Sequence, residues 1–198
     1  MFIQVIQGKC TRQDELRALA DSWRTEVGEA ADTGFLGGTY GFTDDDMFVG
    51  VIRFESREKA MANSQRPEQG DWARRMEGLM DGPVEYHDCD DVTLMMSGGS
   101  DDAGFVQIIR GKVDDAQRLK AMLTQDTELL HQQRPDILGA TLAIEPDGTF
   151  TETIAFTDEA SAREGETKEM PEEVRETMDV AMHDVQYLDL HHPWFESA

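Results

Sequence analysis

The sequence predicts an α+β fold made of two tandem β-α-β-β-α-β repeats, each a four-stranded antiparallel sheet with both helices on one face. Three observations carry this reading. Phe2-Ile3-Gln4-Val5-Ile6-Gln7-Gly8-Lys9 returns as Phe105-Val106-Gln107-Ile108-Ile109-Arg110-Gly111-Lys112, and the echo runs on through Leu16 and Leu119, Leu36-Gly37 and Leu138-Gly139, Phe54 and Phe156, and Tyr86 and Tyr187. The repeated unit is far longer than the roughly 20–50 residues of a solenoid repeat, so this is a domain duplication. Within each copy, short apolar strand patterns alternate with helical spacing.

In the first copy, strand one is Phe2–Gly8. Helix one follows, with Thr11 as N-cap, Asp14 and Glu15 in its first turn, and Leu16, Leu19, Trp23 and Val27 on one face. Gly28 and Gly34 bracket its end. Strand two is Phe35–Thr43, the turn is Thr43-Asp44-Asp45-Asp46, and strand three is Met47–Phe54. Helix two spans Arg57–Met80 and breaks near Pro67, because proline disfavours helical geometry at Arg66. Strand four is Val84–Asp88, extended by Val92–Met96.

The second copy repeats the plan: strand one Phe105–Gly111, helix one Asp114–Arg134, strand two Ile137–Ile144, strand three Phe150–Phe156, helix two Asp158–Met182 with Pro171 inside it, and strand four Val185–Leu190. Glu145-Pro146-Asp147-Gly148 reads as a hairpin turn through its Asp-Gly pair. His183 and Asp184 are expected to close helix two, where a histidine complements the negative helix end. The first repeat is thus residues 1–96, the linker 97–104 and the second repeat 105–198. The linker, Ser97 to Gly104, is small and acidic, the composition of a flexible connection.

Strand one is apolar on both faces, so both faces of each ferredoxin-like sheet are expected to be buried. The two repeats are therefore expected to pack sheet to sheet as an internal pseudo-dimer with a barrel-like α+β core. A further homodimer of the whole chain is compatible with this.

The chain carries 41 Asp and Glu against 18 Lys and Arg, a net charge of −23. Such a surface repels phosphate backbones and anionic lipid heads, which argues against nucleic-acid and membrane partners. Only five bases are lysines, a balance that suits a salt-adapted or high-GC bacterial cytoplasm. Cys10 and Cys89 are not repeated, since Val113 and Leu190 stand at the corresponding positions of the other copy, so they read as reduced, incidental thiols of a cytoplasmic protein. Met1-Phe2-Ile3 enters a strand directly, and no apolar run has the length of a membrane span.

Gly34-Phe35-Leu36-Gly37 at the start of strand two and Phe54-Glu55-Ser56-Arg57-Glu58 leading into helix two resemble the antibiotic biosynthesis monooxygenase family of dimeric α+β barrel proteins. The second half keeps the plan through Leu138-Gly139 and Phe156-Thr157-Asp158-Glu159. The resemblance implies the fold strongly and the chemistry loosely. Relatives of this kind include cofactor-free oxygenases acting on aromatic polyketides, haem-degrading monooxygenases and binding proteins. The haem-degrading branch carries Asn in strand one, Trp in helix two and a His ligand further on. Those positions fall on Gln4, Asn63 and Trp72 here, and near Gln107, Glu164 and Val174 in the second copy. With no His in the ligand place, haem degradation by that route is disfavoured, and no cofactor or metal is expected.

The candidate site lies in the first repeat. Gln4 is a mid-strand amide repeated as Gln107, suited to orienting a ligand or to a hydrogen bond across the pseudo-twofold axis. Asn63 and Trp72 in helix two form an amide and an aromatic wall for a flat organic ligand, or ordinary packing. Tyr86, repeated as Tyr187, can orient a substrate hydroxyl. Arg53, where the second copy has Ala155, can bind an anion or cap the sheet rim. Trp23 and Trp194 read as packing. His87, His131, His183, His191 and His192 lack metal-ligand spacing and read as structural or solvated. No nucleophile elbow, P-loop or dinucleotide fingerprint occurs. The expected function is a cofactor-independent monooxygenase-type protein that acts on or binds a small aromatic molecule in the first repeat. The alternative is a non-catalytic small-molecule-binding or protein-interaction module. A third reading is haem binding through an atypical ligand such as His87.

Overall fold

Two five-stranded antiparallel sheets organise the chain in the computed structural model, which describes residues 1–28, 32–125, 127–168 and 182–198. In chain order the elements are β1 (Phe2–Lys9), α1 (Gln13–Trp23), a π-helical turn (Arg24–Gly28), β2 (Phe35–Phe42), β3 (Met47–Phe54), α2 (Arg57–Ser64), α3 (Pro67–Leu79) and β4 (Glu85–Cys89), then β5 (Asp91–Met95), β6 (Phe105–Val113), α4 (Ala116–Thr124), α5 (Thr127–Gln133), β7 (Ile137–Ile144), β8 (Thr149–Phe156), α6 (Glu159–Glu166), β9 (Met182–Leu190) and β10 (Trp194–Ser197). The sheets are ordered β10-β2-β3-β1-β4 and β5-β7-β8-β6-β9. In each, four strands of one repeat take the order expected of a β-α-β-β-α-β unit, and a fifth strand is added beside β2 or β7. The two compact units are Met1–Asp90 with Trp194–Ala198, and Asp91–Pro193.

Five local expectations change. Val92–Met96 does not extend strand four: Asp91–Met95 is β5, paired with β7 through Asp91↔Ile144 to Met95↔Ala140. Thr11 does not cap α1. Its backbone N–H and hydroxyl both donate to Asp81 Oδ2, at 2.6 and 2.8 Å, and Arg12 takes the cap position without a side-chain bond. Helix one of the second copy divides into α4 and α5, because Gln125 leaves the helical region at φ −73° and ψ 133°. His183 and Asp184 lie in β9 rather than at a helix end, with Asp184 at φ 54° and a register shift beside it between Arg110 and Lys112. Strand four of that copy accordingly starts at Met182. Pro171 and Val174 lie outside the described residues.

The expected break in helix two is present. Pro67 is the first residue of α3, and Arg66 before it is extended at ψ 138°. Ser56 caps α2, its hydroxyl accepting the Lys59 N–H at 3.3 Å, and Asp158 caps α6, its carboxylate accepting the Ser161 N–H at 2.8 Å. The Glu145–Thr149 hairpin closes through Glu145 N–H to Thr149 O at 2.8 Å, with Gly148 at φ +82°, a region that favours glycine.

Each sheet is buried on both faces. Towards its helices, the first sheet packs Phe2, Tyr40, Phe48, Ile52 and Phe54 with Leu16, Ala20, Ala60 and Met76, and Trp194 of β10 joins them. In the second sheet, Leu142, Ile144 and Phe150 pack with Leu119 of α4. On the opposite faces Ile3, Val5, Val49 and Val51, and likewise Val106 and Ile108, are buried. Burying each such side chain contributes roughly 1.5–3 kcal/mol.

Candidate functional site

Gln4 stands in the middle of β1, directly opposite Asp88 of β4 and Ile52 of β3. Its Nε2 donates to Asp88 Oδ1 at 2.9 Å. Arg57 Nη2 lies 3.5 Å from Asp88 Oδ2, and the Arg57 guanidinium lies 5.6 Å from the Phe2 ring centre. The second unit repeats this arrangement. Gln107 Nε2 donates to Asp189 Oδ1 at 3.0 Å and to Glu166 Oε1 at 3.3 Å. Arg163 binds Asp189, and its guanidinium lies 5.1 Å from the Phe105 ring centre. The repeated amide therefore bonds within its own sheet, to the matching aspartate of strand four.

Asn63 is buried at the corner between α2 and α3. It donates from Nδ2 to Gln69 Oε1 at 3.2 Å and accepts at Oδ1 from Arg66 Nη1 at 3.1 Å. Gln69 Oε1 also accepts from Trp23 Nε1 at 2.7 Å, so the corner is locked onto α1. Trp72 does the same one turn further on: its Nε1 donates to Leu19 O at 3.0 Å. Tyr86 is 43% exposed on the edge strand β4, and its hydroxyl donates to Glu77 Oε1 at 3.0 Å. Desolvation and the Glu77 carboxylate both push its phenol above the usual tyrosine range.

Arg53 is on the other face of the sheet. It sits opposite Ile3, whereas Gln4 sits opposite Ile52. Arg53 Nη1 donates to Thr39 Oγ1 at 3.2 Å. Gly37, at φ +149°, makes room for it, since a Cβ there would lie 2.5 Å from Arg53 Nη2. The structure thus brings Gln4, Asn63, Trp72 and Tyr86 to the helix side of the first sheet, each on a different partner, and places Arg53 behind it.

One residue escaped the sequence reading. Glu152 lies in the middle of β8, between Ile109 of β6 and Leu142 of β7, on the face that carries Phe150 and Ile154. It is 6% exposed. Burial alone pushes its carboxyl up to about 7. The only available signal was that Gly50 occupies the same place in the first copy. Elsewhere on the second unit, a cleft of about 340 Å³ is lined by Pro135, Asp136, Thr157, Ser161, Glu164 and Lys168, away from all of these side chains in sequence and strand position.

The described residues contain no group of three or more His, Cys, Asp or Glu arranged to hold a metal ion. The places aligned with the haem-degrading pattern do not fit haem ligation. The Trp72 N–H is a donor already committed to Leu19 O, and Asn63 is closed into the helix corner. His87 lies on β4 opposite Val5, with Nε2 3.5 Å from Glu85 Oε2. Cys10 and Cys89 are buried and neither is joined in a disulfide among the described residues; Cys10 Sγ donates to Leu79 O at 3.4 Å. No described helix is long and apolar enough to cross a membrane.

No family model matches the sequence, and no curated protein matches it. Solved structures do. A Fusobacterium nucleatum protein described as a "putative monooxygenase" superposes with a TM-score of 0.74 at 11% identity, covering 99% of this chain and 94% of its own. A Lactobacillus acidophilus protein of the same description gives 0.71 at 10% identity, covering 100% and 97%. A Listeria monocytogenes ferredoxin-fold protein related to antibiotic biosynthesis monooxygenases gives 0.53 at 8% identity, covering 96% and 94%. The chain has the α+β ferredoxin-like fold of these monooxygenase-related proteins, in its tandem form.

Proposed function

We propose that this chain is a small-molecule-binding protein of the monooxygenase kind that takes a small aromatic ligand and works without a bound cofactor. The supporting observation is the likeness, along its whole length, to structures described as monooxygenases and to an anthrone oxidase-like protein with a TM-score of 0.70. In such chemistry the substrate is the reductant. A CH2 group and O2 become a carbonyl and water, so one oxygen atom enters the substrate and the other leaves as water. The protein supplies a dry apolar layer and fixed hydrogen-bonding groups. In the first unit the aromatic layer of Phe2, Phe35, Tyr40, Phe54 and Trp72 supplies the first, and Gln4, Asn63 and Tyr86 on the same side of the sheet the second. Its reduced thiols fit a cytoplasmic setting.

The test is oxygen uptake by the purified chain with quinol-type aromatic substrates, beside Trp72→Phe. Turnover that falls at least tenfold in the variant supports the reading. Absence of uptake with every substrate rejects catalysis.

A second reading is a non-catalytic binding module of the same fold. It is favoured by the internal hydrogen bonds of Gln4, Asn63, Trp72, Tyr86 and Arg53, which each engage another residue of the first unit. A ligand-induced thermal shift without oxygen uptake distinguishes it.

A further inference from the structure

The two repeats share one backbone frame at the corner where a strand ends and the next helix is capped. Glu55 N–H donates to Gly34 O at 2.7 Å, and Thr157 N–H donates to Asp136 O at 2.9 Å. The caps Ser56 and Asp158 accept the Lys59 and Ser161 N–H groups. Lys59 and Ser161 therefore hold one place in the two frames, as do Gly34 and Asp136, Glu55 and Thr157, and Asp32 and Arg134.

The side chains use that corner differently. In the first unit Lys59 lies across Gly34, where a Cβ would come within 2.5 Å of Lys59 Cδ. Its ammonium reaches Asp32 at 2.8 Å and Glu55 at 2.7 Å, so the lysine fills the corner. In the second unit Ser161 stops short, and its hydroxyl donates to Asp158 at 2.8 Å. There the cleft of about 340 Å³ opens, lined by Pro135, Asp136, Thr157, Ser161, Glu164 and Lys168. Three of these are the counterparts of Gly34, Glu55 and Lys59. The volume lies within the roughly 300–1,000 Å³ of small-molecule pockets.

One wall of the cleft is fixed and neutral. Arg134 Nε donates to Asp136 Oδ1 at 3.0 Å and Nη2 donates to Oδ2 at 2.7 Å, with the two side chains only 18% and 10% exposed. Gly165 permits this pairing, since a Cβ there would lie 2.2 Å from Arg134 Cζ. Two charges remain on the lining, Glu164 near the end of α6 and Lys168 just beyond it, both exposed. The Lys168 ammonium donates to Gln133 O at 3.1 Å and has two further N–H donors.

We propose that this cleft in the second unit binds a free amino acid with a small apolar side chain, its carboxylate received by Lys168 and its ammonium by Glu164. The charges select the class. A simple carboxylate pairs with Lys168 but meets Glu164 as a like charge, and a simple amine does the reverse. A zwitterion makes both charge-assisted bonds and adds no net charge to a chain that carries −23. Pro135 offers its apolar side chain a surface. The site is independent of the first-unit reading above.

The experiment is an amide NMR titration of the full chain at pH 7 with L-norvaline, pentanoate and butylamine. The second and third probes are norvaline without its ammonium and without its carboxylate. The expected result is norvaline binding at least tenfold tighter than either, with the Ser161 and Glu164 amides among those that shift. Glu164→Gln and Lys168→Gln each weaken norvaline at least fivefold. Ser161→Lys rebuilds the lysine of the first unit in the cleft and abolishes norvaline binding. Circular dichroism verifies that each variant folds. Trp72→Phe leaves norvaline affinity unchanged, which separates this site from the first unit. Equal binding of the three probes, tighter pentanoate or butylamine, norvaline affinity that survives either glutamine variant or Ser161→Lys, or no binding by any probe overturns the proposal.

Discussion

Leu142 and Glu152 face each other across β7 and β8, at the register where the first sheet sets Tyr40 against Gly50. The pair joins an apolar side chain to a carboxylate that has no countercharge among the described residues, and the consequences for stability are measurable.

Glu152 keeps its proton to about pH 7 in the folded chain, whereas an unfolded glutamate loses it at about 4.3. Between these values the folded state binds more protons. The stability associated with this group is therefore full below the unfolded value and is lost as pH rises through the folded one. Glu152→Gln is expected to match the wild type in urea denaturation at pH 4 and to exceed it at pH 8, by on the order of 3 kcal/mol. Parallel stability curves for the two proteins across that window would refute this.

Gln107 donates to two carboxylates, Asp189 and Glu166. Gln107→Leu removes the donor and is expected to cost about 1–2 kcal/mol. Gln107→Glu sets a third acid beside the first two and is expected to cost more at pH 7, with part of the loss recovered near pH 4 as the acids protonate. Chemical denaturation at both pH values reads the difference.

Trp72 is tied to α1 by its N–H bond to Leu19 O. Trp72→Phe keeps most of the packing and loses the bond, an expected cost of about 1 kcal/mol, or roughly 2–4 °C in Tm for a chain of this size. Trp72→Ala also opens a cavity and is expected to cost about 3–5 kcal/mol. Thermal unfolding of the pair separates the contribution of the bond from that of the ring.

Trp194 holds β10 on the first sheet. Its ring stacks on Tyr40, lies 5.6 Å from Phe42 and carries the Arg17 guanidinium at 5.2 Å. Trp194→Ala is expected to cost about 3–5 kcal/mol. Removal of residues 194–198 additionally bares the β2 edge and is expected to promote self-association, seen as a concentration-dependent mass in light scattering.

The duplication was legible because both copies keep the same strand-one residues, and the strands of the hairpins were legible from their turns. β3 and β7 run over the expected Met47–Phe54 and Ile137–Ile144. The partner of β5 was not legible. An apolar run states that a strand exists, while its neighbour is decided by a long-range pairing that period-two patterning does not encode. The break after α4 was hidden because Gln125 is neither proline nor glycine, whereas Pro67 announced the break before α3. Among the candidate residues, Gln4 and Trp72 were visible as a repeated amide and a lone aromatic, but their partners, Asp88 and the Leu19 carbonyl, depend on the folded register. Glu152 was concealed by composition. Among 41 acids, one buried carboxylate has no local mark, and only the mismatch with Gly50 pointed to it.

The most direct measurement is a carboxyl-carbon NMR titration of the full chain, with the Glu152 resonance assigned by its loss in Glu152→Gln. A midpoint near pH 7 is the expected result, as burial pushes this carboxyl up to about 7. A midpoint near the ordinary glutamate value of about 4.3 would contradict the account, because it would mean that the Glu152 carboxyl is solvated or paired in the folded chain rather than desolvated in the second sheet.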